Sequence, residues 1–116
     1  MAGPSGWRLA MWDGAMDYTV HDSGTLRELE MRGQITFEAD TDFRTILAGW
    51  EKAGIADCVL NLSAIDYMDS AGLGLLVMAN NAARQAGITF RLKHPRGQVR
   101  DLIEISEFHT IIPCEF

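Results

Sequence analysis

The sequence predicts an α/β domain, bordering on α+β, in which a mixed sheet of about four to five strands carries helices packed against it. Strand-like alternation broken by turn dipeptides fills the chain up to Arg32, and helical periodicity takes over after Gly33. A nearly continuous apolar run, Cys58-Val59-Leu60-Asn61-Leu62, then precedes a second helical segment, the order expected where helices cross between strands of one sheet.

The opening Met1-Ala2-Gly3-Pro4-Ser5-Gly6 is rich in turn-forming residues. It marks residues 1–15 as a partly disordered leader, with a single domain over 16–116. From Trp7 to Arg32 short strands are punctuated by Asp13-Gly14 and Asp22-Ser23-Gly24, turns of the kind that join antiparallel strands. Tyr18 and Val20, then Leu29 and Met31, supply the period of two. Phe43, Ile46, Leu47 and Trp50 recur at i, i+3, i+4, i+7, one buried face of a helix that Asp40 or Thr41 caps and Gly54 closes. The run from Cys58 predicts a central strand covered on both faces. A loop through Asp66 leads to a helix over Ser70–Ala86, closed by Gly87, and to a strand in which Ile88, Phe90 and Leu92 alternate with Thr89 and Arg91. Lys93-His94-Pro95 breaks that strand; Val99, Leu102, Ile103 and Ser106 mark a third helix, and Ile111-Ile112 a short last strand before Pro113.

With 116 residues, a net charge of -6 and a pI near 4.9, the chain lacks the basic surface that phosphate backbones require. Nucleic acid is thereby excluded as a partner, and basic or mixed protein surfaces are favoured. Cys58 and Cys114 give neither a disulfide framework nor metal-ligand spacing, so both read as free thiols in a reducing compartment. The longest apolar stretch, Leu73 to Ala79, falls far short of the roughly 20 residues that cross a bilayer, and the start is no signal peptide. A cytoplasmic protein without membrane insertion is the expectation. Asp66 and Asp69 form a carboxylate pair, yet no nucleophile and base, phosphate-cradling loop or metal-ligand cluster accompanies them, and His21, His94 and His109 are scattered. We therefore expect no enzyme, no cofactor and no metal.

Function concentrates in Asp69-Ser70-Ala71-Gly72-Leu73-Gly74. Ser70 and Asp69 both suit a helix cap, where a side-chain oxygen accepts a free backbone N–H. Gly72 and Gly74 in a first helical turn each cost on the order of 1 kcal/mol relative to Ala. Such a cost implies close approach of another backbone, either the protein's own sheet or a partner. On a helical wheel Leu75, Leu76, Ala79, Ala82, Ala83 and Ala86 form the sheet-facing side. Ser70, Leu73, Val77, Asn80, Asn81 and Arg84 form a mixed stripe that is either a docking surface or covered by the protein's own loops.

Val59-Leu60-Asn61-Leu62, Ile65 and Tyr67-Met68-Asp69-Ser70-Ala71-Gly72-Leu73-Gly74-Leu75-Leu76 resemble the signature segment of STAS domains in bacterial anti-sigma-factor antagonists. Gly33-Gln34-Ile35 resembles the family's Gly-Glu-Leu, and Val99-Arg100-Asp101-Leu102-Ile103 its last helix. Thr36 stands where many relatives are acidic, and Ala71 where many carry a second hydroxyl. The resemblance implies a STAS-like fold and a phosphorylation switch at Ser70. Unphosphorylated, such a domain sequesters an anti-sigma factor that is itself a serine kinase; phosphorylation releases it, and a PP2C-type phosphatase resets the switch. Asp69, Gly72, Leu73, Val77, Asn81 and Arg84 are the expected partner-binding residues around Ser70. The alternative is an unphosphorylated STAS subunit serving as a constitutive scaffold in a transport or sensory complex. Homodimerisation through Leu73 and Val77 is a third use of the same stripe.

Overall fold

The computed structural model describes residues 16–116. The expected leader and the Asp13-Gly14 turn lie outside that range. Strands β1 (Asp17–Ser23) and β2 (Leu26–Ile35) form an antiparallel hairpin about Gly24, whose φ of 62° suits a residue without Cβ. Then follow α1 (Asp40–Ala53), β3 (Asp57–Met68), α2 (Ser70–Ala86), β4 (Thr89–Lys93), α3 (Gly97–Ile105) and β5 (Cys114–Glu115).

The strand order is β1-β2-β3-β4-β5, and every pair after the hairpin is parallel. Because β2 to β5 run across the sheet in chain order, right-handed crossovers place all three connecting helices on one face. The burial agrees: Leu29 and Met31, Cys58, Leu60 and Leu62, and Phe90 and Leu92 join Phe43, Ile46 and Trp50 of α1, Leu76, Ala79 and Ala83 of α2, and Val99 and Ile103 of α3 in one core. Trp50 and Phe90 meet with ring centroids 5.9 Å apart.

The opposite face departs from expectation, since no helix among the described residues covers it. Val59 is buried there, but its neighbours in the alternation are polar. Glu28 accepts hydrogen bonds from Asn61 Nδ2 (3.0 Å) and from Lys93 Nζ (3.2 Å), tying β2, β3 and β4 together across the face. The Asn61 amide first, and Lys93 after it, hold the Glu28 carboxyl below the usual glutamate range against the opposing push of partial burial.

Two further boundaries differ from the sequence reading. Helix α1 has no side-chain cap; instead Thr36 caps a preceding 3-10 turn, Phe37–Ala39, its Oγ1 accepting from Glu38 N at 3.4 Å. Gly54, at φ 66°, closes α1 as expected. Ile111 and Ile112 are not a strand: both N–H groups donate to the Phe108 carbonyl, closing a second 3-10 turn, and Ile112 drops into the core. The last strand starts two residues later because Pro113, which has no N–H, offers its carbonyl to Leu92 N. Cys58 and Cys114 are both free, and burial pushes their thiols up to about 12 and about 11.

Glu28 supplies a pH test. A carboxyl with a lowered folded-state pKa adds stability above its unfolded value and loses it as pH falls through the folded value. Glu28→Gln is expected to cost about 1–2 kcal/mol in urea unfolding at neutral pH. The difference from wild type should close as the pH drops below the ordinary glutamate range; a gap that stays constant there contradicts the assigned network.

Candidate functional site

The Asp69–Gly74 segment sits where β2 and β3 end and α2 begins. Two register shifts in the β2–β3 ladder, between Glu30 and Arg32 and between Gly33 and Gln34, bring Ile35 opposite Met68 with both side chains fully buried. Gly33 sits at the second shift with φ 97°, which explains the glycine. The first turn of α2 then packs against that strand end. A Cβ on Gly72 would land on the Ile35 carbonyl oxygen and come within 2.7 Å of Met68 Cγ. Gly72 is therefore required by the protein's own backbone. Gly74 differs, for a Cβ there meets nothing within 4 Å. Its helical cost has no internal compensation.

Asp69, extended at φ -113°, is the N-cap of α2, and its Oδ1 accepts from Gly72 N at 2.9 Å. The expectation that either Asp69 or Ser70 could cap is thus resolved. Ser70 is the first helical residue, exposed, and its hydroxyl has no hydrogen-bond partner among the described residues. Asp69 does not orient that hydroxyl, because its carboxylate is turned to Gly72.

Only part of the proposed α2 stripe is surface. Asn80 is buried at 8% exposure, and Leu73 and Val77 are half-buried against the core, while Asn81 and Arg84 are exposed. The sheet-facing side is correspondingly narrower at its end: Leu75, Leu76, Ala79 and Ala83 are buried, Ala82 is half-buried and Ala86 exposed. The helix is rotated so that position 80 faces inward.

Two exposed aromatics, neither among the expected partner-binding residues, lie at this end of the sheet. Phe37 follows β2 on the 3-10 turn that packs against α2 and is 70% exposed; Tyr67 immediately precedes Met68 and is 42% exposed. Exposed Glu38 and Asp66 and half-buried Asp69 surround them with negative charge. One cation, Arg96, shares a shallow depression with Asp66, Ser63, Ile65 and Gly97. A groove of about 560 Å³ lies elsewhere, between α1 and α2 along Leu47, Trp50 and Ala82. Among the described residues there is no cluster of three metal-ligating side chains, and no helix is long and apolar enough to cross a membrane.

The other unanticipated contact comes from α3. Gln98 Oε1 accepts from Met68 N at 2.9 Å while its Nε2 donates to the Met68 carbonyl at 2.8 Å. Met68 thus has a strand partner on one edge and a side chain standing in for a strand on the other.

The model of one family, the STAS domain, matches residues 17–115. The chain belongs to the STAS domain family. Solved STAS-type structures agree in fold. An anti-sigma factor antagonist from Mycobacterium paratuberculosis aligns with a TM-score of 0.76 at 15% identity, covering 90% of this chain and 88% of that one. SpoIIAA in its unphosphorylated form aligns at 0.65 and 15% identity, covering 86% and 89%. The Bacillus cell-fate determinant SpoIIAA in its phosphorylated form aligns at 0.64 and 14% identity, covering 86% and 92%. No curated protein sequence matches this STAS domain.

The two glycines give opposite expectations in this STAS domain. Gly72→Ala should destabilise it by about 3 kcal/mol, because a backbone carbonyl cannot yield as a side chain does. Gly74→Ala should stabilise it by up to about 1 kcal/mol through helix propensity alone. Urea midpoints of the two variants check this; equal and opposite outcomes to those stated would contradict the packing of α2.

Proposed function

We propose that this STAS domain is an anti-sigma factor antagonist whose partner-binding surface is switched by phosphorylation of Ser70. The observation that carries the reading is the division of labour at the start of α2. Asp69 supplies the cap, so Ser70 presents an uncommitted hydroxyl at the surface. The near-equal fit to SpoIIAA in its unphosphorylated and phosphorylated forms, 0.65 and 0.64, supports a switch that acts on the surface and leaves the fold alone.

The physics of such a switch is electrostatic. Phosphate adds about -1.5 to -2 charges at neutral pH. A helix N-terminus favours a negative charge by roughly 0.3–1 kcal/mol, so the domain itself tolerates the group. A docked partner does not, because the added charge joins Glu38, Asp66 and Asp69 and must be desolvated on contact. In this reading the partner is a kinase-type anti-sigma factor with a basic contact surface, and a PP2C-type phosphatase removes the phosphate.

The contact residues are revised accordingly. Leu73 and Val77 contribute chiefly to the core, which also weakens homodimerisation through them. Phe37 and Tyr67 are the exposed aromatics flanking the switch, and aromatic anchors carry much of the energy in protein interfaces. Gly74 leaves room for close approach of a partner backbone. Asn81 and Arg84 extend the exposed face along α2.

Calorimetric titration with the kinase-type anti-sigma factor tests the reading. Ser70→Asp should weaken binding at least about tenfold, equivalent to roughly 1.4 kcal/mol, with no change in near-UV circular dichroism. Unchanged affinity would instead support a constitutive scaffold that assembles through another face. Phe37→Ser should also weaken binding at least about tenfold while leaving the unfolding free energy within about 0.5 kcal/mol of wild type. Binding unaffected by this change would remove Phe37 from the interface.

A further inference from the structure

Strand β3 outruns its neighbour. Its pairing with β4 ends at Asn61 opposite Lys93, yet it continues to Met68 with β2 alone beside it. Seven residues of one edge would therefore lack a strand partner, and a main-chain group left unpaired away from water is costly. At the last of these residues, immediately before the Asp69 cap, Gln98 makes both bonds that a strand would make. The loop delivering it is short: His94 at φ 56° with its N–H bonded to the Glu115 carbonyl, then buried Pro95 and exposed Arg96, then the helix.

Ser70 consequently lies between two fixed points. On one side Met68 is held by Ile35 and Gln98; on the other Gly72 is held by the Asp69 carboxylate and pressed against the Ile35 carbonyl. Only Asp69, Ser70 and Ala71 intervene. We infer that Gln98 is a positioning residue for Ser70, fixing the turn from which the hydroxyl projects although it lies 28 positions further along the chain. The inference rests on the Ser70 switch for its functional consequence and on the Met68 contacts for its geometry. Precise placement of a reacting hydroxyl is worth orders of magnitude in transfer rate, so a loosened turn should lower turnover more than docking.

Gln98→Leu removes both hydrogen bonds at nearly constant volume, and Gln98→Glu retains the acceptor for Met68 N while losing the donor. Two readouts separate positioning from the switch itself. In a Ser70→Cys background, iodoacetamide alkylation against pH reports the thiol at the helix start, where the N-terminus lowers a thiol pKa. Cys58 and Cys114, held up to about 12 and about 11, stay slow. Adding Gln98→Leu should raise the pKa of the introduced thiol toward the free value, with Gln98→Glu intermediate. With wild-type Ser70, ATP and the kinase-type anti-sigma factor, Gln98→Leu should lower kcat about tenfold or more and leave KM within about twofold. An introduced thiol indifferent to both Gln98 changes, or a kcat within twofold of wild type, overturns the positioning role. A thiol that responds in a protein that this kinase never modifies at Ser70 sinks the switch instead and keeps the geometry. Should Gln98→Leu fail to fold, the Gln98→Glu comparison decides by the same readouts.

Discussion

The contact of Gly72 with the Ile35 carbonyl is the constraint on which the rest of the site depends. A helix can approach a strand end this closely only where one residue lacks a Cβ, and that approach sets where α2 starts relative to β2 and β3. The register shifts in the β2–β3 ladder prepare it by turning Ile35 and Met68 together into the core. Once the first turn of α2 is docked there, the Phe37–Ala39 turn lies against it, the Asp69 carboxylate meets Gly72 N, and Ser70 is left facing solvent. Capping and the proposed phosphorylation thus fall on adjacent residues. A modification of Ser70 therefore removes no bond that holds the helix.

That separation explains how a charge can switch binding without remodelling the fold. The cap and the backbone contact lie on the inner side of the turn, among buried groups, whereas Ser70 and Ala71 lie on the outer side with Glu38 and Asp66. The inner contacts are steric and short-range; the outer ones act through charge, whose effect on a partner grows as water is excluded. The exposed aromatics Phe37 and Tyr67 place apolar anchors next to this charge. In the proposed switch, contact area and its electrostatic veto thus occupy one corner of the molecule.

Much of this was legible in the sequence, for identifiable reasons. The helix of Phe43, Ile46 and Trp50 and the strand of Phe90 and Leu92 announced themselves because one buried face imposes one period. The helical cost of Gly72 pointed to a close approach, although the approaching atom, Ile35 O, lies outside any local pattern and the same cost at Gly74 has no such contact. Asn80 was misplaced because a wheel assumes a boundary between faces that only packing decides. Phe37 was passed over because residues before a helix obey no period, and the Thr36-capped turn that presents it is too short to have one. Gln98 could not be read at all, since a polar residue at a helix start looks like solvent-facing filler until a backbone 30 positions earlier is set beside it. The polar underside of the sheet was likewise hidden within the apolar run around Val59, where Asn61 was the only sign of the Glu28 and Lys93 network.

The central claim is that Ser70 carries the regulatory phosphate. It is tested most directly by intact-mass measurement and site mapping of the protein recovered from its own cells under at least two growth conditions. The account predicts a singly phosphorylated fraction, mapped to Ser70, whose share changes between conditions. A protein that carries no phosphate in any condition, or carries it only at another residue, would contradict the account.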